Sequence, residues 1–148
     1  MKDVIAVSVV AVLFAVLWSS GNVLGQQEPA DAEGLVFVSA DDAEFDEVAP
    51  NISKALLWGD DATGPYGAFT RFEPGVDNGV HTHTNDIWIV VLEGAYVYED
   101  EAGEKRVGPG DFMRIPGGMK HSSGGDAQAG ALFYEESSGK FDIVPVQR

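Results

Sequence analysis

The sequence predicts an all-β fold, a sandwich or barrel of short strands. Strand-like segments are separated by turn signals about every 8–12 residues, which is typical of sandwiches and barrels. The chain has 18 glycines and seven prolines, residue types that suit many tight turns. After residue 25, no segment carries an apolar stripe with the spacing of a useful helix.

The individual strands are predicted from short apolar or alternating runs bounded by Gly, Pro, Asp or Glu. In chain order, the predicted strands cover residues 35–39, 53–58, 66–72, 87–92, 95–98, 111–115, 129–134 and 141–146. The acidic segments 41–47 and 99–104 are predicted to be solvated turns.

The first 25 residues are predicted to be a secretory signal peptide. Residues 4–18 form a mostly apolar run, and a spanning helix needs roughly 20 such residues. The charged start is weak because Asp3 offsets Lys2, so an uncleaved membrane anchor is the alternative. We therefore expect an exported protein, periplasmic or extracellular.

The rest of the chain is predicted to be a single domain. Residues 26–34 are polar and acidic and read as a flexible lead-in, and residues 35–148 are long enough to bury a core. The net charge of −15 excludes non-specific binding to nucleic acid and, once the signal is cleaved, to anionic membranes. Because the chain has no cysteine, packing must hold the fold without disulfides.

All three histidines of the chain lie in two short motifs. The first motif runs from Gly75 to His81 and His83, and the second runs from Gly110 to His121. Side chains at i and i+2 of a strand share one face, and imidazole is a common ligand of transition metals. Closure of a barrel could bring His121 to the same ion. The motifs therefore predict one divalent transition metal, with Fe, Mn, Ni, Zn and Cu all compatible.

The two motifs resemble the paired signatures of the cupins, which are double-stranded β-helix, or jelly-roll, barrels. The positions that match are Gly75, His81, His83 and Gly94 in the first signature and Gly110, Pro116, Gly118 and His121 in the second. Gly125 stands where the second signature usually has Asn. The resemblance covers residues 35–146 and implies a cupin barrel with His81, His83 and His121 as metal ligands.

The chain departs from this family at the fourth ligand, which is usually Glu. Ile87 stands at the Glu position and Asp86 stands one residue earlier. A slip of one residue turns a strand side chain to the other face. Two alternatives stay open: a bulge or frayed strand start lets Asp86 bind the metal, or three imidazoles and water complete the site.

Four further residues are candidates for the wall of a binding pocket. Trp88 and Tyr96 lie close to the first motif, although most aromatic side chains are expected to fill the barrel. Arg71 and Arg114 lie in apolar strands, where a charge usually faces solvent. The alternative is that one arginine lines the pocket and binds a substrate carboxylate bidentately.

Within the cupins, the chain is similar to small bacterial single-domain members, to the ChrR anti-sigma type and, more distantly, to diketone-cleaving dioxygenases. This resemblance implies metal chemistry on a small organic molecule, with O2-dependent oxidation as the leading hypothesis. The alternative is a non-catalytic module that binds or senses a metal or a small ligand. The family also implies a possible homodimer through N-terminal strand exchange. The fold alone does not decide among these functions.

Overall fold

The computed structural model describes residues 34–146. The predicted signal peptide, residues 1–25, and all of the predicted lead-in except Gly34 lie outside the described residues. The described part of the chain has no helix that is long and apolar enough to cross a membrane.

The described residues form two antiparallel sheets that enclose the core. The strands are β1 Asp46–Ala49, β2 Ile52–Gly59, β3 Tyr66–Phe72, β4 Asp77–Thr82, β5 Ile87–Gly94, β6 Tyr96–Asp100, β7 Gly103–Val107, β8 Phe112–Ile115, β9 His121–Gly125, β10 Ala131–Ser137 and β11 Val144–Pro145. The larger sheet has the order β1-β2-β3-β10-β5-β8, and the smaller sheet has the order β11-β4-β9-β6-β7. This architecture confirms the predicted all-β jelly roll.

Alternation along the strands builds the core between the two sheets. In β5, for example, Ile87, Ile89 and Val91 are buried, whereas the residues between them are partly exposed. Phe72 packs edge-on against Phe133 with ring centroids 5.0 Å apart. Each fully buried side chain of this size contributes about 1.5–3 kcal/mol to folding.

Most predicted strands are present, with shifted ends. Predicted strand 129–134 instead begins at Ala131 and continues to Ser137, and 141–146 is reduced to the two residues of β11. The histidine motifs lie on β4 and β9, two strands whose bounds were not predicted from the sequence.

One prediction of local structure is wrong, and a second is correct only in part. Residues 35–39 form no strand: the side chains of Leu35 and Phe37 are 97% and 86% exposed, and no strand within residues 34–146 pairs with them. The acidic segment 99–104 is largely a hairpin, in which Asp100 pairs with Gly103. Gly103 has a φ of 108°, and its freedom to adopt this angle permits the tight turn. The apolar composition of residues 35–39 predicted a strand that does not form. The charged residues of 99–104 predicted a turn over the whole segment, although its two ends belong to paired strands.

Candidate metal centre

The fold brings the three histidines together. His81 and His121 are directly opposite each other on the adjacent strands β4 and β9, and His83 follows β4 on the same face as His81. Their candidate ligand atoms all lie within 4.8 Å of one another. The ring centroids of His81 and His121 are 4.5 Å apart, and those of His81 and His83 are 4.9 Å apart. All three side chains are buried.

Backbone carbonyl groups orient each imidazole ring. His81 Nδ1 lies 2.9 Å from the Gly79 carbonyl oxygen, and His121 Nδ1 lies 2.9 Å from that of Met119. His83 Nδ1 makes the same kind of contact with the carbonyl oxygen of Asp142. Because a carbonyl only accepts hydrogen bonds, each Nδ1 carries the proton and each Nε2 presents its lone pair.

The Nε2 atoms have the properties of metal ligands. Those of His81 and His121 are buried, and no protein group in the described range forms a hydrogen bond with them. Burial holds the pKa of His81 below its usual value, and burial together with the neighbouring rings lowers the pKa of His121 to about 4. The rings of His81 and His121 are therefore neutral near pH 7, and the donor set of three imidazoles fits a divalent metal ion.

Asp86 lies apart from this group. Its Oδ2 accepts hydrogen bonds from Arg114 Nη2 at 2.6 Å and Nε at 3.0 Å, and its Oδ1 accepts one from the Gly117 amide at 2.8 Å. The Gly117 bond, and then the Arg114 guanidinium, hold the pKa of this carboxyl below its usual range. Ile87, the next residue, is buried. The structure therefore places three imidazoles in the group and pairs Asp86 with Arg114 outside the cavity.

A cavity of about 200 Å³ lies between the sheets, with His81 and His83 in its wall. Most of the wall is apolar, and its apolar members include Ile52, Phe72, Ile87, Ile89, Phe133 and Phe141. Tyr96 also lines the cavity and stacks on Phe72, with ring centroids 5.9 Å apart. The Ile87 position, where the family usually has Glu, therefore contributes apolar surface.

The other three predicted pocket residues do not line the cavity, which corrects that prediction. Trp88 alternates with the buried Ile87 and Ile89 and faces the outside of the sheet. The guanidinium of Arg71 lies over the ring of Phe45, 4.4 Å from its centroid. Arg114 is occupied by its ion pair with Asp86. Proximity in sequence suggested Trp88, but strand alternation decides which residues face inward.

A second buried polar group, which the sequence analysis missed, lies in the same cavity wall. Lys54 Nζ is 2.9 Å from Glu135 Oε1 and 3.1 Å from Asp61 Oδ2. Tyr66 donates a hydrogen bond to Glu135 Oε1 at 3.0 Å. Lys54 and Glu135 are 7% and 6% exposed. The available signal was alternation, since Glu135 follows the inward-facing Phe133 by two residues, just past the predicted end of β10.

The segment around Phe141 links this group to the histidines. Lys54 Nζ lies 4.1 Å from the centroid of the Phe141 ring, which is itself 5.7 Å from the His83 ring. The Asp142 carboxylate accepts hydrogen bonds from the amide and hydroxyl of Thr84, next to His83. These contacts fix the carbonyl that orients His83.

Comparison with known proteins gives a family match for the central part of the chain. Residues 68–135, which contain all three histidines, match the Cupin domain family. Comparison with curated proteins gives no match. KdgF from Halomonas sp. is a similar solved structure, with 22% identity, a TM-score of 0.57 and coverage of 69% of this chain and 94% of that chain.

Two further solved structures have the same fold. The polyketide cyclase RemF from Streptomyces resistomycificus has 21% identity, a TM-score of 0.65 and coverage of 78% of this chain and 87% of that chain. The complex of Rhodobacter sphaeroides SigE with the anti-sigma ChrR has 17% identity, a TM-score of 0.55 and coverage of 67% of this chain and 50% of that chain. These identities support a shared fold alone. The match shows that residues 68–135 form a cupin domain, and the two-sheet jelly roll is the fold expected for it.

Proposed function

We propose that this cupin binds one divalent transition metal and acts on a small organic molecule, with O2-dependent oxidation as the reaction class. The observation that supports the proposal is the group of three buried histidines beside an apolar cavity of about 200 Å³. A divalent ion held by three protein ligands supplies Lewis acidity and open coordination positions. Fe, Mn, Ni, Zn and Cu are all compatible with imidazole ligands.

The protein's own residues bind the ligand, orient it and exclude water. The carbonyl of Gly79 and its two counterparts keep the imidazole rings aimed at one point. Ile87 and the other apolar side chains of the wall exclude water, which strengthens electrostatic interactions in the cavity.

Formal charges favour an anionic ligand. Lys54 contributes +1 to the wall, whereas Asp61 and Glu135 contribute −1 each, which gives −1 with neutral histidines. A divalent ion changes this sum to +1. The metal-bound cavity therefore favours a small monoanion with an apolar body, such as an enolate, a thiolate or a carboxylate.

The test begins with metal analysis by mass spectrometry on protein purified without a histidine tag. We expect about one equivalent of metal in the wild type, and none in a variant with His81→Ala and His83→Ala. Lys120→Ala, an exposed position next to His121, is the matched control and should retain the metal. Unchanged metal content in the double variant contradicts the metal centre.

The reaction class is tested by O2 uptake with a panel of β-diketones and thiols. Uptake that requires the bound metal supports the oxidative function. Stoichiometric zinc with no turnover across the panel supports instead the alternative, a module that binds or senses a ligand.

We also propose that the protein is exported and forms a homodimer, and both proposals can be tested on one sample of the exported protein. The apolar run at residues 4–18 supports a signal peptide, and the exposed Leu35 and Phe37 are apolar side chains that a second copy would cover. N-terminal sequencing of the exported protein should begin near Gln26, and light scattering should give a dimer. An intact N-terminus indicates an uncleaved anchor, and a monomer removes the proposed dimer.

A further inference from the structure

Three buried side-chain atoms in the described range have no hydrogen-bond partner in the protein. Two of them are the Nε2 atoms of His81 and His121, and the third is the hydroxyl oxygen of Thr70. Thr70 is 2% exposed and lines the same cavity as His81. A buried hydroxyl without a partner destabilises the folded state, and a ligand that forms a hydrogen bond with it removes this destabilisation.

Thr70 and His81 lie on different sheets. Thr70 is in β3 of the larger sheet, directly opposite Phe133 of β10, and His81 is in β4 of the smaller sheet. Packed sheets lie about 10 Å apart. A compact molecule can therefore reach the metal with one end and Thr70 with the other, while Ile89 and Phe133 contact its middle.

Glu135 adds a hydrogen-bond acceptor beside Thr70. It is two residues from Phe133, so it is the diagonal neighbour of Thr70 across the β3–β10 pair. The Cα atoms of such diagonal neighbours lie about 7–8 Å apart, which leaves space for one ligand oxygen between the two side chains. Lys54 and Tyr66 both contact Oε1 of Glu135, so Oε2 remains as an acceptor.

We propose that Thr70 and Glu135 form a second polar subsite that binds a hydroxyl group of the ligand, opposite the end that binds the metal. The hydroxyl donates a hydrogen bond to Glu135 and accepts one from Thr70. The net charge of +1 in the metal-bound cavity favours an anionic group at the other end. The ligand class is thus a short hydroxy acid, or a similar anion with a remote hydroxyl. This inference rests on the proposed metal centre for the anionic end.

The experiment compares 4-hydroxybutanoate with pentanoate, in which a methyl group replaces the hydroxyl. Calorimetry on the metal-loaded wild type should show that the hydroxy acid binds at least about 10-fold more tightly, because pentanoate leaves the Thr70 hydroxyl and Glu135 Oε2 without partners. Thr70→Val keeps the shape but removes the hydroxyl, so it should reduce the preference to below about 3-fold. Thr70→Ser, the conservative control, should retain it.

Equal affinities in the wild type, or a preference that survives in Thr70→Val, overturn the proposal. The absence of binding by every ω-hydroxy acid from two to six carbons overturns it as well. Metal content measured on the same samples separates the two hypotheses: stoichiometric metal with equal affinities removes the subsite but leaves the metal centre.

Melting of the metal-free protein provides a readout that needs no ligand. Thr70→Val should melt at or above the wild-type temperature, because it removes a buried hydroxyl that has no protein partner. A clear decrease in melting temperature shows that the hydroxyl stabilises the fold itself and overturns the proposal. If no metal binds, the metal centre fails and this melting comparison decides the subsite.

Discussion

The two inner walls of the barrel differ in the polar groups that they bury: the smaller sheet buries neutral imidazoles, and the larger sheet also buries charges. On the smaller sheet, His81 and His121 present Nε2 atoms that no protein group contacts in the described range. On the larger sheet, the ammonium of Lys54 contacts the carboxylates of Glu135 and Asp61. One wall thus leaves neutral acceptors unpaired, and the other pairs its charges.

The difference follows from the cost of burial. A neutral acceptor without a partner costs about 1–3 kcal/mol, which a marginally stable domain tolerates. A buried ion without a partner costs several kcal/mol more, so it must be paired. Asp86 and Ile87 obey the same rule: the carboxylate faces outward to Arg114, and the apolar side chain faces the cavity.

The largest predicted effect tests the paired charges of the larger sheet. Lys54→Met leaves Glu135 and Asp61 without their cation, so we expect the free energy of unfolding to fall by about 3–5 kcal/mol. Guanidinium denaturation measures the loss. Lys105→Met is the matched control, because Lys105 is 53% exposed and lies 3.9 Å from Asp100, and its effect should be much smaller.

Adding Glu135→Gln to Lys54→Met should recover part of this stability, because one uncompensated charge is then removed. If Lys54→Met costs no more than the Lys105 control, the charges of the larger sheet are solvated, and the contrast between the two walls disappears.

The second largest predicted effect is the pH dependence of stability, which tests the histidines of the smaller sheet. Burial lowers the pKa of His81, and burial with the neighbouring rings lowers that of His121 to about 4, from an unfolded value of 6.5. Between pH 6.5 and about 4, the unfolded chain therefore binds protons that the folded metal-free protein does not bind. The stability contributed by the neutral rings is present above pH 6.5 and is lost as the pH falls through this window.

Denaturation in the presence of a chelator, at steps from pH 7.5 to 4.5, measures this slope. His121→Phe, which cannot titrate, should give a shallower slope over the same range. A slope equal to that of the wild type would show that the buried imidazole does not resist protonation.

The histidine motifs were predictable because spacing and strand geometry act over short distances. His81 and His83 are two positions apart, which puts both on one face, and the family resemblance supplied the return of His121. The failed strand at residues 35–39 shows the limit of composition. An apolar segment becomes a strand only beside a partner, and no strand in the described part of the chain pairs with Leu35 or Phe37.

Distance along the chain also explains why the charged group of the larger sheet was not predicted. Lys54 and Glu135 are 81 residues apart in the chain, and nothing local indicates that they meet. Strand alternation would have turned both inward, but charged residues are usually exposed. The opposite applies to Trp88. It was predicted to line the pocket because it is close to His83 in sequence, but strand alternation turns its side chain to the outside of the sheet.

The smallest predicted effect concerns Asp86, which stands one residue before the position of the family's Glu ligand. The sequence left open whether Asp86 binds the metal or whether three imidazoles and water complete the site. In the structure this carboxylate is bound by Arg114 and by the Gly117 amide on the outside of the sheet. Asp86→Ala should therefore change metal affinity by less than about 10-fold, the lower limit for partners that orient metal ligands. Arg114→Ala is the matched control, because it breaks the same ion pair while leaving the carboxylate. Competition with a fluorescent chelator measures both affinities. A loss of more than about 100-fold in Asp86→Ala, with Arg114→Ala unchanged, would mean that Asp86 exchanges its outer partners for the metal. That exchange would bring a charged ligand into the wall that otherwise presents only neutral acceptors.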